Sequence, residues 1–123
     1  MSFEQTLNQH INALQTKHLE SFLETVPHTG DLALILLDGR LIASAEEFVA
    51  MHHDWFSDPD WSMAITVVRT IVGADLGFAL LDVVYDDVDR EGQPIHKTYW
   101  LQVVFRRHED GRWLLTHDQN TGK

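Results

Sequence analysis

The residues best suited to chemistry lie near the end of the chain, where His117 and Asp118 close a largely apolar run. An imidazole and a carboxylate are the side chains most readily tuned to move protons near neutral pH. Successive residues of a strand point to opposite faces, so only one of the two can look into a core-side pocket. If Trp113 and Leu115 face inward, strict alternation carries His117 with them; the alternative is that Asp118 is the inward residue. Tyr99 and Trp100, on the preceding run, could orient a polar atom of a bound molecule, again from opposite faces. Tyr99 is in phase with Leu101 and Val103, so its ring is expected to be buried whether or not its hydroxyl has a function.

Other candidates lie in the first half. His10 and Leu14 fall on one apolar stripe, and His52 and Trp55 on another, so that both stripes and the inner face of a sheet could line one cavity. A histidine on such a stripe is equally served by a backbone carbonyl. His52 and His53 diverge by about 100° on a helix and cannot readily chelate one ion together. Asp87 to Gly92 copies the first half of a calcium loop, but Thr98 stands where the bidentate glutamate belongs, and the flanks read as strands. No metal is expected. No phosphate loop, dinucleotide fingerprint or serine nucleophile elbow is present, so no cofactor is expected either.

These residues need elements to hold them. Phe3, Leu7, Ile11 and Leu14 recur at helical spacing, and Leu19, Phe22, Leu23 and Val26 form a second stripe rotated from the first. Two helices with a break between Thr16 and His18 are predicted, closed by Pro27 and Gly30. Asp31 to Leu37 is an apolar β-compatible run ending in the turn Asp38-Gly39, and Arg40 to Ala43 returns as a short strand. Ser44 and Glu47 have capping-box spacing and open a third helix, which Asp58-Pro59-Asp60 ends. Period-two strands follow over Trp61–Val72, Leu76–Val88, Ile95–Arg107 and Arg112–Asn120, joined by connections short enough to require antiparallel neighbours. Tyr99, Leu101, Val103 and Phe105 form one apolar face and Trp100 and Val104 another. A sheet with one wetted face should not carry both, which predicts that the outer face is covered by a second copy of the chain.

The 123 residues fit one domain, spanning 1–123, and 44% hydrophobic content is enough for a core. A formal charge of −10, with lysine and arginine scattered, disfavours nucleic-acid and anionic-membrane partners. Without cysteine there can be no disulfide, thiolate nucleophile or iron–sulfur cluster. No signal-like start or membrane-length apolar run is visible, so a soluble, cytoplasmic protein is expected.

Three helices, a hairpin between the second and third, and four long strands resemble the nuclear transport factor 2-like superfamily, in particular its SnoaL-like branch. Trp55-Phe56-Ser57-Asp58, the acidic helix start after Asp38-Gly39, and the closing Gly111-Arg112-Trp113 followed by Thr116-His117-Asp118 carry the likeness. The resemblance implies an α+β cystatin-like cone, with the helices in the concave face of a strongly curved antiparallel sheet, an apolar pocket for a small hydrophobic molecule, and homodimerisation through the outer face. It also implies cofactor-free isomerase, cyclase, dehydratase or hydrolase chemistry, or else a non-enzymatic association or ligand-binding module. Under the enzymatic reading, His117 or Asp118 serves as acid or base with Tyr99 or Trp100 fixing an oxygen, and His10, Leu14, His52, Trp55 and Trp100 line the pocket. The isomerase pattern of a tyrosine in the first helix is missing, and Asp31 or Asp38 would have to replace its aspartate.

Overall fold

The computed structural model describes all 123 residues. Helix α1 (Phe3–Thr16) starts at Ser2, whose hydroxyl accepts from the Gln5 backbone N–H while the Gln5 side chain accepts from the Ser2 N–H. This reciprocal cap satisfies two amides that the first turn leaves free. The helix stops at Lys17, which takes a left-handed conformation (φ 56°) and turns the chain into the short α2 (Leu19–Leu23). Strands β1 (Asp31–Ile35) and β2 (Leu41–Ser44) make the expected hairpin. Ser44 then caps α3 (Ala45–Phe56) by accepting from the Glu47 N–H.

The four long strands β3 (Ser62–Val72), β4 (Leu76–Val88), β5 (Pro94–Arg107) and β6 (Trp113–Gly122) run antiparallel. The six-stranded sheet has the order β2-β1-β6-β5-β4-β3. Its one parallel pairing, β1 with β6, sets Ala33 against His117 and Leu34 against Asp118. Pattern reading gives the short-loop neighbours but not this contact, which joins strands far apart in the chain.

The helices fill the concave side of the curled, unclosed sheet. Phe3, Leu7, Ile11 and Leu14 from α1 and Phe48 and Phe56 from α3 pack on inward Ala79, Leu81, Val83, Leu101, Val103 and Phe105. At one point helix and sheet touch so closely that a Cβ on Gly77 would lie 2.3 Å from the Phe3 ring, so only glycine fits. No helix is long and apolar enough to cross a membrane.

Besides an irregularity in the β1–β2 hairpin between Asp31 and Leu34, two local departures from regular pairing lie in the long strands. One lies in β3 between Val67 and Arg69. The other lies where β6 faces β5: Phe105 opposes Leu115, but the next residue, Val104, opposes His117. Thr116 is therefore the extra residue of a β-bulge. Such a bulge resets the alternation of the strand that carries it.

Candidate functional site

The β6 bulge decides which member of the His117–Asp118 pair reaches the interior. Trp113 and Leu115 face the core, as expected, but the alternation restarts after Thr116, so Asp118 and Asn120 are the inward residues. His117 is turned away and contacts Gln119, its Nε2 lying 3.3 Å from Gln119 Oε1. The expectation that His117 follows Leu115 fails because it assumes an unbroken period of two.

Asp118 forms part of the wall of a cavity of about 340 Å³. The apolar wall includes Leu14, Leu34, Met51, Trp55, Met63 and Leu101. The polar groups are Arg40, His52, Tyr85, Lys97, Tyr99, Asp118 and Asn120. Of the residues singled out from sequence, Asp118, Tyr99, Leu14, His52 and Trp55 thus meet around one space. Trp100 lies on the opposite face of β5, where Lys123 Nζ sits 4.4 Å from its ring centroid, because adjacent strand residues diverge. His10 is wholly buried behind the wall rather than on it.

Asp118 is 6% exposed, and its Oδ1 is shut off from solvent without a hydrogen-bond partner. Loss of hydration penalises the charged carboxylate and raises its pKa to about 7. Near neutral pH the group is therefore divided between acid and base forms, the condition under which a carboxyl both takes and returns a proton efficiently. Tyr99, inward on the neighbouring strand, is pushed up to about 12 by burial and by the negative charge of Asp118. Its hydroxyl stays protonated and available as a donor.

The two inner histidines are neutral, for a different reason. His52 Nδ1 lies 2.8 Å from the Phe48 carbonyl oxygen, which can only accept, so the N–H is on Nδ1 and Nε2 keeps its lone pair. Burial lowers its pKa to about 4 against the opposing effect of that hydrogen bond. The ring stacks on Phe48 at 4.0 Å and on Phe22 at 4.8 Å. His10 Nδ1 lies 2.7 Å from the Thr25 hydroxyl, which donates its own proton to the Phe22 carbonyl, so His10 must donate. Burial, and secondarily the charge of His52, bring His10 down to about 3. Both rings thus serve as polar packing pieces, not proton carriers, near pH 7.

Tyr85, Arg40, Lys97 and Asn120 are the site residues that pattern reading overlooks. Tyr85 donates to Asp87 Oδ2 at 2.6 Å, and burial followed by that hydrogen bond raises its hydroxyl pKa far above the ordinary value. It also extends an aromatic wall, its ring 6.4 Å from Trp55, while Trp55 stacks on Trp61 at 4.0 Å. Lys97 is cross-strand from Tyr85 and in phase with Tyr99, a relation visible once the β4–β5 register is known. Arg40 reaches the cavity from the β1–β2 turn. No group of three or more histidine, aspartate or glutamate side chains is arranged to hold a metal ion.

No protein-family model and no curated protein matches the chain. Solved structures do. A candidate calcium/calmodulin-dependent protein kinase type II association domain from Thiobacillus denitrificans superposes with a TM-score of 0.78 at 15% identity, covering 99% of this chain and 95% of that one. A ketosteroid isomerase-like protein from Erwinia carotovora gives 0.78 at 14% identity, over 97% and 92%. A candidate dehydratase of the NTF2-like family from Streptomyces avermitilis gives 0.76 at 12% identity, over 98% and 93%. Near-complete coverage at such low identity is a statement about backbone, and it agrees with the three helices and curled sheet described above: the chain has an α+β cystatin-like fold, the fold it shares with these NTF2-like structures.

Proposed function

We propose that this protein is a cofactor-free proton-transfer enzyme acting on a compact, largely apolar molecule, with Asp118 as the acid–base group and Tyr99 as the hydrogen-bond donor to the reacting oxygen. The observation that carries this reading is the Asp118 carboxyl itself, buried in an apolar cavity with one oxygen unpartnered and a pKa of about 7. An unsatisfied buried carboxyl costs stability, and functional sites are where such a cost is retained. The ionised carboxylate takes a proton from a carbon next to a carbonyl. The C–H electron pair forms a carbon–carbon double bond, and negative charge develops on the carbonyl oxygen, where the Tyr99 O–H donates to it. Where a carbon–carbon double bond flanks the deprotonated carbon, the charge extends over a dienolate, and return of the proton from Asp118 to its far carbon shifts that double bond, an isomerisation with no redox change.

The isomerase-like and dehydratase descriptions of two structural neighbours are compatible with this chemistry, although they belong to those proteins. The test is deuterium incorporation from heavy water into 2-tetralone and similar compact ketones, followed by proton NMR. Wild-type protein is expected to accelerate exchange, and Asp118→Asn, which keeps the shape, to lower the rate by about 10²- to 10⁴-fold. Equal rates in the two proteins, or no acceleration by either, would overturn the proposal.

Self-association belongs to the same reading. Phe78, Leu80, Val84, Trp100 and Val104 all lie on the convex side of β4 and β5, away from the helices. A homodimer through this face covers them, in keeping with the association-domain description of the Thiobacillus neighbour.

A further inference from the structure

The chain carries 19 acidic and 9 basic residues, yet the cavity lining includes two cations, Arg40 and Lys97. Neither takes part in any of the four ion pairs of the chain, which engage His53, His96, Arg112 and Lys123. Both are exposed, so they stand at the mouth, whereas Asp118 is deep. Lys97 is placed there by β5, on the inner face two residues beyond Tyr99, about 7 Å further out along the strand. Arg40 comes from the β1–β2 turn, where its backbone N–H donates to Asp38 Oδ1 while its guanidinium makes no ion pair. A cavity apolar in its depth and cationic at its mouth selects for a molecule of matching polarity.

We propose that the ligand is a compact carboxylic acid, its apolar body against Leu34, Met51, Trp55 and Leu101 and its carboxylate held at the mouth by Arg40 and Lys97. The proposal rests on the cavity reading above and adds the charge of the ligand to it. A guanidinium presents a planar fork suited to a carboxylate, and an ammonium supplies a second, mobile charge. A singly charged head fits better than a dianion, because Asp118 in the depth and Asp87, hydrogen-bonded to the lining Tyr85, oppose further negative charge. The volume of about 340 Å³ lies near the lower end of the usual range for small-molecule cavities, about 300–1,000 Å³, and so limits the body to a small ring system.

The experiment is isothermal titration calorimetry of the full chain with 2-naphthylacetate, its uncharged amide 2-naphthylacetamide, and 2-naphthyl phosphate. The acid is expected to bind about tenfold tighter than the amide, in line with a charge-assisted contact at a partly exposed site. Arg40→Gln together with Lys97→Gln, both at exposed positions, is expected to abolish the preference while leaving amide affinity unchanged. Equal affinity for acid and amide, or a preference that survives the double variant, overturns the ligand's charge and leaves the cavity reading intact. Tighter binding of the phosphate overturns the carboxylate as head group. Binding of none of the three removes this ligand class, and the ketone exchange assay then judges Asp118 separately.

Discussion

Replacing Asp118 by asparagine should stabilise the protein at alkaline pH and not at acid pH. In the unfolded chain an aspartate loses its proton near 3.9, whereas in the folded protein Asp118 holds it to about 7. Between these values the folded state binds one more proton than the unfolded state, so the contribution of Asp118 to stability is fully present below about pH 4 and is lost as pH rises through 7. About three pH units at 1.36 kcal/mol each give an upper value near 4 kcal/mol, and structural relaxation around the ionised group brings the expected loss to about 2–4 kcal/mol. Asparagine keeps the size and cannot ionise, so the variant escapes the loss. Thermal unfolding of both proteins, followed by circular dichroism at pH 4.5 and 8.5, isolates the effect because all other titrations are common to the two. The Tm difference, variant minus wild type, should become more positive by roughly 6–15 °C at the higher pH. A difference that is flat with pH, or that moves the other way, would refute a neutral Asp118 in the cavity.

The buried histidines give the opposite trend. Both are held neutral in the folded state with pKa values of about 3 and 4, so the unfolded chain binds protons first as pH falls below about 6.5. Their contribution should therefore fall between pH 6.5 and 4.5, and it is read without the opposing Asp118 effect in the Asp118→Asn variant; calorimetry showing a constant Tm of that variant over the interval would contradict buried neutral rings. Gly77→Ala should cost about 1–3 kcal/mol in urea unfolding, because the new methyl group meets the Phe3 ring at 2.3 Å. His117→Asn should leave ketone exchange unchanged, whereas Tyr99→Phe should slow it; the reverse ranking would place the reactive group on the wrong side of β6.

Much of the fold could be read from patterns with local causes. The stripe Phe3, Leu7, Ile11 and Leu14 announces α1, Asp38-Gly39 announces a turn, and Ser44 a helix start. The β1–β6 pairing could not be read, because it depends on how the sheet curls and not on any neighbouring residue. The site was legible in its residue types but not in its geometry. Asp118 enters the cavity only because Thr116 is bulged, and nothing in the composition of β6 distinguishes a bulge from a regular strand. Arg40 and Lys97 read as ordinary surface charges until the register places them around one opening. His10 shares a stripe with Leu14, but its pairing with Thr25 takes it behind the wall.

The most direct measurement is the titration of Asp118 itself, by carbon-13 NMR of the side-chain carboxyl carbons in aspartate-labelled protein, with the signal assigned by its absence in Asp118→Asn. A midpoint near 7 is expected from the unpartnered, buried carboxyl. A midpoint near the ordinary value of about 3.9 would mean that the carboxylate is solvated or paired, and the acid–base role assigned to it would fall.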